Sequence, residues 1–151
     1  MLEEYEKKRH FEKTHEPFTL GSHESADKPT FVVQRHDARN LHYDFRLEMD
    51  GVLKSWALPK QPPKETGIKR LAIQTEDHPL SYADFEGEIP EGEYGAGKVE
   101  IWDKGTFELQ KCEEKEIVVT LHGEELKGNY ILIRTKYGKG EDGWLFFRRS
   151  D

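Results

Sequence analysis

One stretch of the chain, Gln34 to Arg46, carries residue types and spacings that can do metal chemistry. It reads Q-R-H-D-A-R-N-L-H-Y-D-F-R. From Leu41 to Met49 apolar and polar residues alternate strictly, the period of a strand with two different faces. Leu41, Tyr43, Phe45, Leu47 and Met49 share one face, and His42, Asp44, Arg46 and Glu48 share the other. Same-face neighbours lie roughly 7 Å apart along a strand, so an imidazole and a carboxylate can converge on one metal ion. Arg46 then stands beside them, able to hold an anion. His36 ends the run after Phe31-Val32-Val33, and the loop Asp37-Ala38-Arg39-Asn40 can fold it back over His42 and Asp44. Two histidines and one aspartate leave coordination positions open, and Mn, Fe and Zn all tolerate that donor set. The competing reading is a solvated strand face; His36 and Arg46 are what weigh against it.

The elements that must position these groups follow from the flanking sequence. Asp50-Gly51 is a two-residue hairpin signal. It sets a register of Met49 with Val52, Phe45 with Trp56 and Tyr43 with Leu58 on the apolar face. On the polar face Arg46 then meets Ser55, and His42 meets Pro59 with Lys60 next. The hairpin therefore gathers a polar, partly basic site on one side.

The run from His36 to Lys60 closely resembles the phosphoesterase domain of the bacterial repair ligase D. The likeness continues from Arg70 through Asp103 and includes E-D-H-P-L-S-Y and G-E-Y-G-A-G-K. It is dense from about Phe31 to Gly105 and looser beyond. The resemblance implies a manganese-dependent 3′-end-healing enzyme, with Zn²⁺ or Co²⁺ as other metals for the same site. Such an enzyme removes a terminal 3′-ribonucleoside to leave a 3′-phosphate, then removes that phosphate to leave a 3′-hydroxyl. By motif, His36, His42 and Asp44 match metal ligands. Arg46 and His78 match residues on the scissile phosphate, and Tyr82 follows His78 at the family spacing. Gln34, Ser55, Lys60 and Arg70 match further substrate-binding positions. The family's N-terminal arm usually reads Arg-Asp-Phe, whereas this chain has Arg9-His10-Phe11. His10 can still touch phosphate or a metal, but it does not supply the carboxylate. The implied substrate is the 3′ end of a DNA or RNA primer strand on a duplex, with a repair ligase and a polymerase as partners.

Composition narrows the field further. A length of 151 residues suits one domain. No apolar run approaches the roughly 18 residues of a membrane span, and no signal segment follows Met1. A single cysteine, Cys112, excludes an internal disulfide framework and fits a reducing cytoplasm. A net charge of -7 argues against sequence-indifferent coating of nucleic acid, though not against gripping one strand end. We expect a cytoplasmic monomer.

Residues 1–30 read as an arm, with at most a weak helix before Lys13, and residues 31–151 as the phosphoesterase domain. Strands are expected at Phe31–Arg35, Leu41–Met49, Val52–Leu58, Arg70–Thr75, Lys98–Asp103, Thr106–Gln110, Glu116–His122, Asn129–Thr135 and Trp144–Arg149. Glu76-Asp77-His78-Pro79 and the acidic stretch Asp84 to Gly97 read as loops, and Lys104-Gly105 and Lys127-Gly128 as turns. Many short strands with little helical period predict a mainly β fold, a single antiparallel β-barrel with a polar metal site inside it or at its mouth.

Three other readings meet obstacles in the sequence. Gly92 to Lys98 nearly spells a phosphate-cradling P-loop, but Val99 replaces the Ser or Thr and a strand follows. The His-x-Asp pair also suits a non-haem iron oxygenase, yet its second histidine should lie downstream, at His78 or His122. A non-catalytic strand-end binding module has no need of three metal-ligand side chains around open positions.

Overall fold

The computed structural model describes residues 28–93, 96–135 and 143–150. Most of the expected arm lies outside them, including Arg9, His10, His15 and His23. Nine strands follow: β1 (Thr30–Asp37), β2 (Leu41–Met49), β3 (Val52–Leu58), β4 (Lys69–His78), β5 (Gly87–Ile89), β6 (Gly97–Glu113), β7 (Glu116–His122), β8 (Lys127–Arg134) and β9 (Gly143–Arg148). All pair antiparallel with their neighbours. The order β1-β2-β3-β4-β9-β8-β7-β6 closes on itself because β6 also pairs with β1, and β5 adds to β6. The predicted antiparallel barrel is therefore present, with eight strands in its wall. No helix of the described residues is long and apolar enough to cross a membrane.

The hairpin that carries the site forms as the pattern dictates. Asp50 and Gly51 both take positive φ, 54° and 79°, as a tight primed turn requires. The β2–β3 register then pairs Tyr43 with Leu58, Phe45 with Trp56, Arg46 with Ser55 and Met49 with Val52. Phe45, Leu47 and Trp56 join Phe31, Phe107, Tyr130, Trp144 and Phe146 in the barrel core. Burying each such side chain contributes about 2–3 kcal/mol. A one-residue slip would forfeit several of these at once, so the core fixes the register.

Several expected boundaries move. Lys104-Gly105 is not a turn: β6 runs through it, exchanging β1 for β7 as its partner near Thr106. Glycine is needed there for close approach, since a Cβ on Gly105 would meet the His122 carbonyl oxygen at 2.1 Å. Lys127-Gly128 opens β8, and the turn lies earlier. It is closed by Gly123 N–H donating to the Leu126 carbonyl and by Asp103 accepting from the Glu124 and Leu126 amides. The acidic stretch after Asp84 contains β5, and residues Leu80–Asp84 form a short 3-10 turn. β4 continues through His78, past an irregularity that adds one residue opposite Leu53–Ser55.

The barrel has no room for a polar site inside. Its interior is filled by the aromatic core, and the β3–β4 connection crosses one end. Pro62 and Pro63 are buried there, and Tyr130 donates its hydroxyl hydrogen to the Pro63 carbonyl at 2.8 Å. The polar residues of β1 and β2 instead face outward from the wall. A second cluster of Val32, Leu53 and Ala83, with Leu80, Tyr82 and Ile101 packed on it, covers part of that outer face.

Candidate active site

Strand alternation builds the site. With Phe45 and Leu47 turned into the core, Asp44 and Arg46 must face outward. β1 pairs Gln34 with Asp44 and His36 with His42, which brings the upstream histidine beside the His-x-Asp pair. A β-bulge in β6 pairs Val33 with Asp103 but Gln34 with Ile101, bypassing Trp102. β3 sets Ser55 opposite Arg46. The irregularity in β4 brings His78 opposite Leu53. The 3-10 turn brings Tyr82, and Gln34 anchors it by donating from Nε2 to the Tyr82 and Phe85 carbonyls at 2.8 and 3.2 Å.

His36, His42 and Asp44 each offer a ligand atom, all within 4.8 Å of one another. Asp44 lies 3.6 Å from His36 Nδ1 through Oδ2 and 3.3 Å from His42 Nε2 through Oδ1. Donors bonded at about 2.1 Å to one metal sit at about such separations. His42 Nδ1–H can donate to the Asn40 carbonyl at 3.1 Å, which orients Nε2 toward the site. Burial pushes the Asp44 carboxyl up, but hydrogen bonds from both histidines and the Arg46 charge outweigh it, holding the group well below the usual carboxylate range. Its hydrogen bond to Asp44 raises His42. The trio therefore offers an ionised carboxylate between two imidazoles, a donor set that fits a divalent transition metal.

Arg46 is the best-held side chain in the site, with 4% exposure. Its Nε donates to Gln34 Oε1 at 2.7 Å and its Nη1 to Ser55 Oγ at 2.8 Å. Ser55 passes its own hydrogen to the Leu53 carbonyl. Nη2 lies 3.5 Å from Asp44 Oδ2, and the guanidinium carbon sits 4.9 Å from the Tyr82 ring centroid. Burial lowers its pKa, yet a guanidinium stays charged at neutral pH. His78 Nδ1 lies 3.2 Å from Arg46 Nη1 and 3.1 Å from the Glu76 carbonyl. Burial, then the Arg46 charge, lowers the His78 pKa, so the ring is neutral near pH 7. Nδ1 thus faces a donor in Arg46 and an acceptor in the Glu76 carbonyl, and which of them it engages sets the tautomer. Burial raises the Tyr82 pKa, which keeps its hydroxyl protonated as a donor.

His36, His42, Asp44, His78 and Tyr82 line one cleft of about 270 Å³, together with Ala57, Thr75 and Glu76. Gln34 and Ser55 do not line it; they are buried behind Arg46 and hold its guanidinium in place. Lys60 is exposed just past β3, and Arg70 on β4 donates from Nε to the Gln61 carbonyl of the β3–β4 connection; neither lines the cleft. Thr75 and Glu76 were not anticipated. The signal for Thr75 was its place opposite Ser55, which needs the β3–β4 register and that is not readable from the sequence.

Known proteins resemble the chain over most of its length. Residues 34–134 match the family model described as the DNA ligase D 3′-phosphoesterase domain. The chain is 52% identical over 151 residues, 97% of its length, to the multifunctional non-homologous end joining DNA repair protein LigD of Mycobacterium tuberculosis. It is 46% identical over 156 residues, 99% of its length, to the multifunctional non-homologous end joining protein LigD of Pseudomonas aeruginosa. These alignments cover 19% of each relative, so the chain spans about a fifth of the length of the proteins it matches. The chain belongs to the DNA ligase D 3′-phosphoesterase domain family.

Proposed function

We propose that the protein is a metal-dependent phosphoesterase that heals 3′ ends during strand-break repair. It removes a 3′-terminal ribonucleoside to leave a 3′-phosphate, then hydrolyses that phosphate to a 3′-hydroxyl. The observation that carries this reading is the Arg46 fork, buried and held on two sides, 3.5 Å from the Asp44 carboxylate of a His-His-Asp trio that lines one cleft with His78 and Tyr82. His36, His42 and Asp44 would hold the metal, with Mn²⁺ the expected ion and Zn²⁺ or Co²⁺ acceptable to the same donors. A bound divalent ion neutralises phosphate oxygens and orients the group for displacement. Arg46 supplies further positive charge at an angle set by Gln34 and Ser55, so it need not reorganise as charge builds on phosphorus oxygens. The His78 imidazole and the Tyr82 hydroxyl would serve as donors for the phosphate or for the departing oxygen. In the second step water adds to phosphorus, the bond to the 3′ oxygen breaks, and that oxygen leaves as the hydroxyl. The protein would act as a cytoplasmic monomer on a primer strand of a duplex, before a repair ligase and a polymerase. Lys60 and Arg70, with Arg9 and His10 of the arm, are proposed to contact the strand outside the cleft.

The oxygenase alternative calls for a downstream second histidine, His78 or His122. Among the described residues the candidate trio is completed by upstream His36, while His78 lies against Arg46 at 3.2 Å and His122 pairs with Glu108 on β6 at 2.9 Å, which favours the esterase reading.

The test is a primer–template whose primer ends in one ribonucleotide, incubated with Mn²⁺, with EDTA, and with the His42→Ala variant. Shortening to a 3′-phosphate and then to a 3′-hydroxyl, lost in both controls, is expected. An intact primer across several divalent metals would overturn the assignment.

A further inference from the structure

Positive charge is concentrated at one end of the barrel in a chain whose net charge is -7. Between Pro59 and Arg70 the sequence carries Lys60, Lys64, Lys69 and Arg70 against Glu65 alone, and β9 ends at Arg148 with Arg149 directly after it. The fold brings these together. Thr66 bridges to Arg148, Arg148 Nη1 donates to the Lys64 carbonyl at 3.2 Å, and Lys69 pairs with Phe147. Lys64 is offset by Glu125 at 2.6 Å. Among the described residues the other five cations make no ion pair, and Lys60, Lys69 and Arg149 are exposed. Local strand geometry does not require unpaired like charges on one surface; they repel unless an anion covers them.

The same end adjoins the cleft. Leu58, two residues before Lys60, pairs with Tyr43, which stands between His42 and Asp44 in sequence. A strand whose terminus sits at His42 and Asp44 can therefore run straight onto this surface.

We propose that the plugged barrel end holds the phosphate backbone of the duplex stem behind the 3′ end being processed. The occupant is a nucleic-acid duplex because its dense, regular charge matches a cluster of lysines and arginines, and because the adjoining cleft takes a strand end. The second reason rests on the esterase reading above. Lysines act as point charges without base readout, so this grip is sequence-independent.

The test measures binding of a labelled primer–template with a 3′-hydroxyl end by the full chain in Mn²⁺, from about 50 to 200 mM salt. Variants are Lys69→Glu with Arg149→Glu, the milder Lys69→Gln with Arg149→Gln, and Lys115→Glu in the distant β6–β7 turn as control. The expected result is binding weakened at least about tenfold by the reversal. Both double variants should flatten the log–log salt slope by about two, while Lys115→Glu stays near wild type. The rise in melting temperature on adding Mn²⁺ should be unchanged in all of them. Duplex affinity and salt slope equal to wild type in a folded double reversal would overturn the proposal. Because binding is read without turnover, wild-type protein that binds duplex but cleaves nothing would defeat the esterase reading alone.

Discussion

Gln34 and Arg46 form a fully buried polar contact at the site: Oε1 of the glutamine accepts from Nε of the arginine at 2.7 Å, with exposures of 0% and 4%. The other end of Gln34 holds the Tyr82 and Phe85 carbonyls. One amide thus ties the β2 arginine to the turn that carries Tyr82. Gln34→Leu keeps the volume but strands a charged donor and the Phe85 carbonyl, and leaves the Tyr82 carbonyl with the Phe85 amide alone. Loss of a buried hydrogen bond to a charged group costs about 1.5–3 kcal/mol. Thermal or urea unfolding should register that loss, and kcat on a 3′-phosphate should fall further than stability alone explains.

Arg46→Lys separates charge from geometry. A lysine keeps the positive charge but has no Nε for Gln34 and no fork to reach Ser55 at the same time. Phosphate hydrolysis should drop about 10²–10³-fold, the scale of losing a placed donor. The rise in melting temperature on adding Mn²⁺ should persist, because the trio is untouched. Asp44→Asn should do the reverse for that signal and abolish it, since it removes the carboxylate that faces both histidines. A metal at 100 times its Kd stabilises by about 2.7 kcal/mol, a shift that differential scanning fluorimetry resolves. Equal metal-induced shifts in wild type and Asp44→Asn would remove the trio from the metal site.

The β2–β3 hairpin and its register were legible because they rest on local signals, the Asp50-Gly51 turn and period-two alternation. His36, His42 and Asp44 could be grouped for the same reason: one strand and one short loop relate them. What was not legible depends on partners distant in sequence. β6 is continuous because it has β1 on one half and β7 on the other, and nothing near Lys104-Gly105 announces that exchange. The site lies on the outer wall because aromatics from six strands fill the interior and Pro62-Pro63 plug its end, facts of three-dimensional volume. His78 looked like a loop residue because an extra residue in β4 lets the strand continue past Glu76-Asp77.

Gly105 offers a direct check on that continuous strand. A turn glycine in open space, such as Gly67 with φ at +90° and nothing near its missing Cβ, should lose roughly 1–2 kcal/mol on substitution by alanine. Gly105 faces the His122 carbonyl oxygen at 2.1 Å and Gly123 Cα at 2.9 Å, both backbone atoms. Backbone must move to admit a methyl group, at about 1–3 kcal/mol or more. Gly105→Ala should therefore destabilise clearly more than Gly67→Ala in parallel urea titrations. The opposite ranking would mean that the β6–β7 approach is looser than described.

Tyr130 links the core to the plug, and its titration reports on that link. Its ring is fully buried and stacks on Phe146 at 5.2 Å, while its hydroxyl donates to the Pro63 carbonyl. Burial pushes its pKa up to about 12 from an ordinary 10.0. The folded protein thus holds this proton more tightly than the unfolded chain, so the neutral hydroxyl stabilises the fold. That stabilisation is fully present below pH 10 and is lost as pH rises toward 12, on the order of 2 kcal/mol across the window. Tyr130→Phe should be less stable than wild type near neutral pH by about 1–2 kcal/mol, because the Pro63 carbonyl loses its donor. The gap should then close between pH 10 and 12, since phenylalanine has no proton to lose while the other tyrosines titrate alike in both proteins. Urea midpoints across that range measure it, and a gap that stayed constant to pH 12 would show that the hydroxyl is not held at the plug.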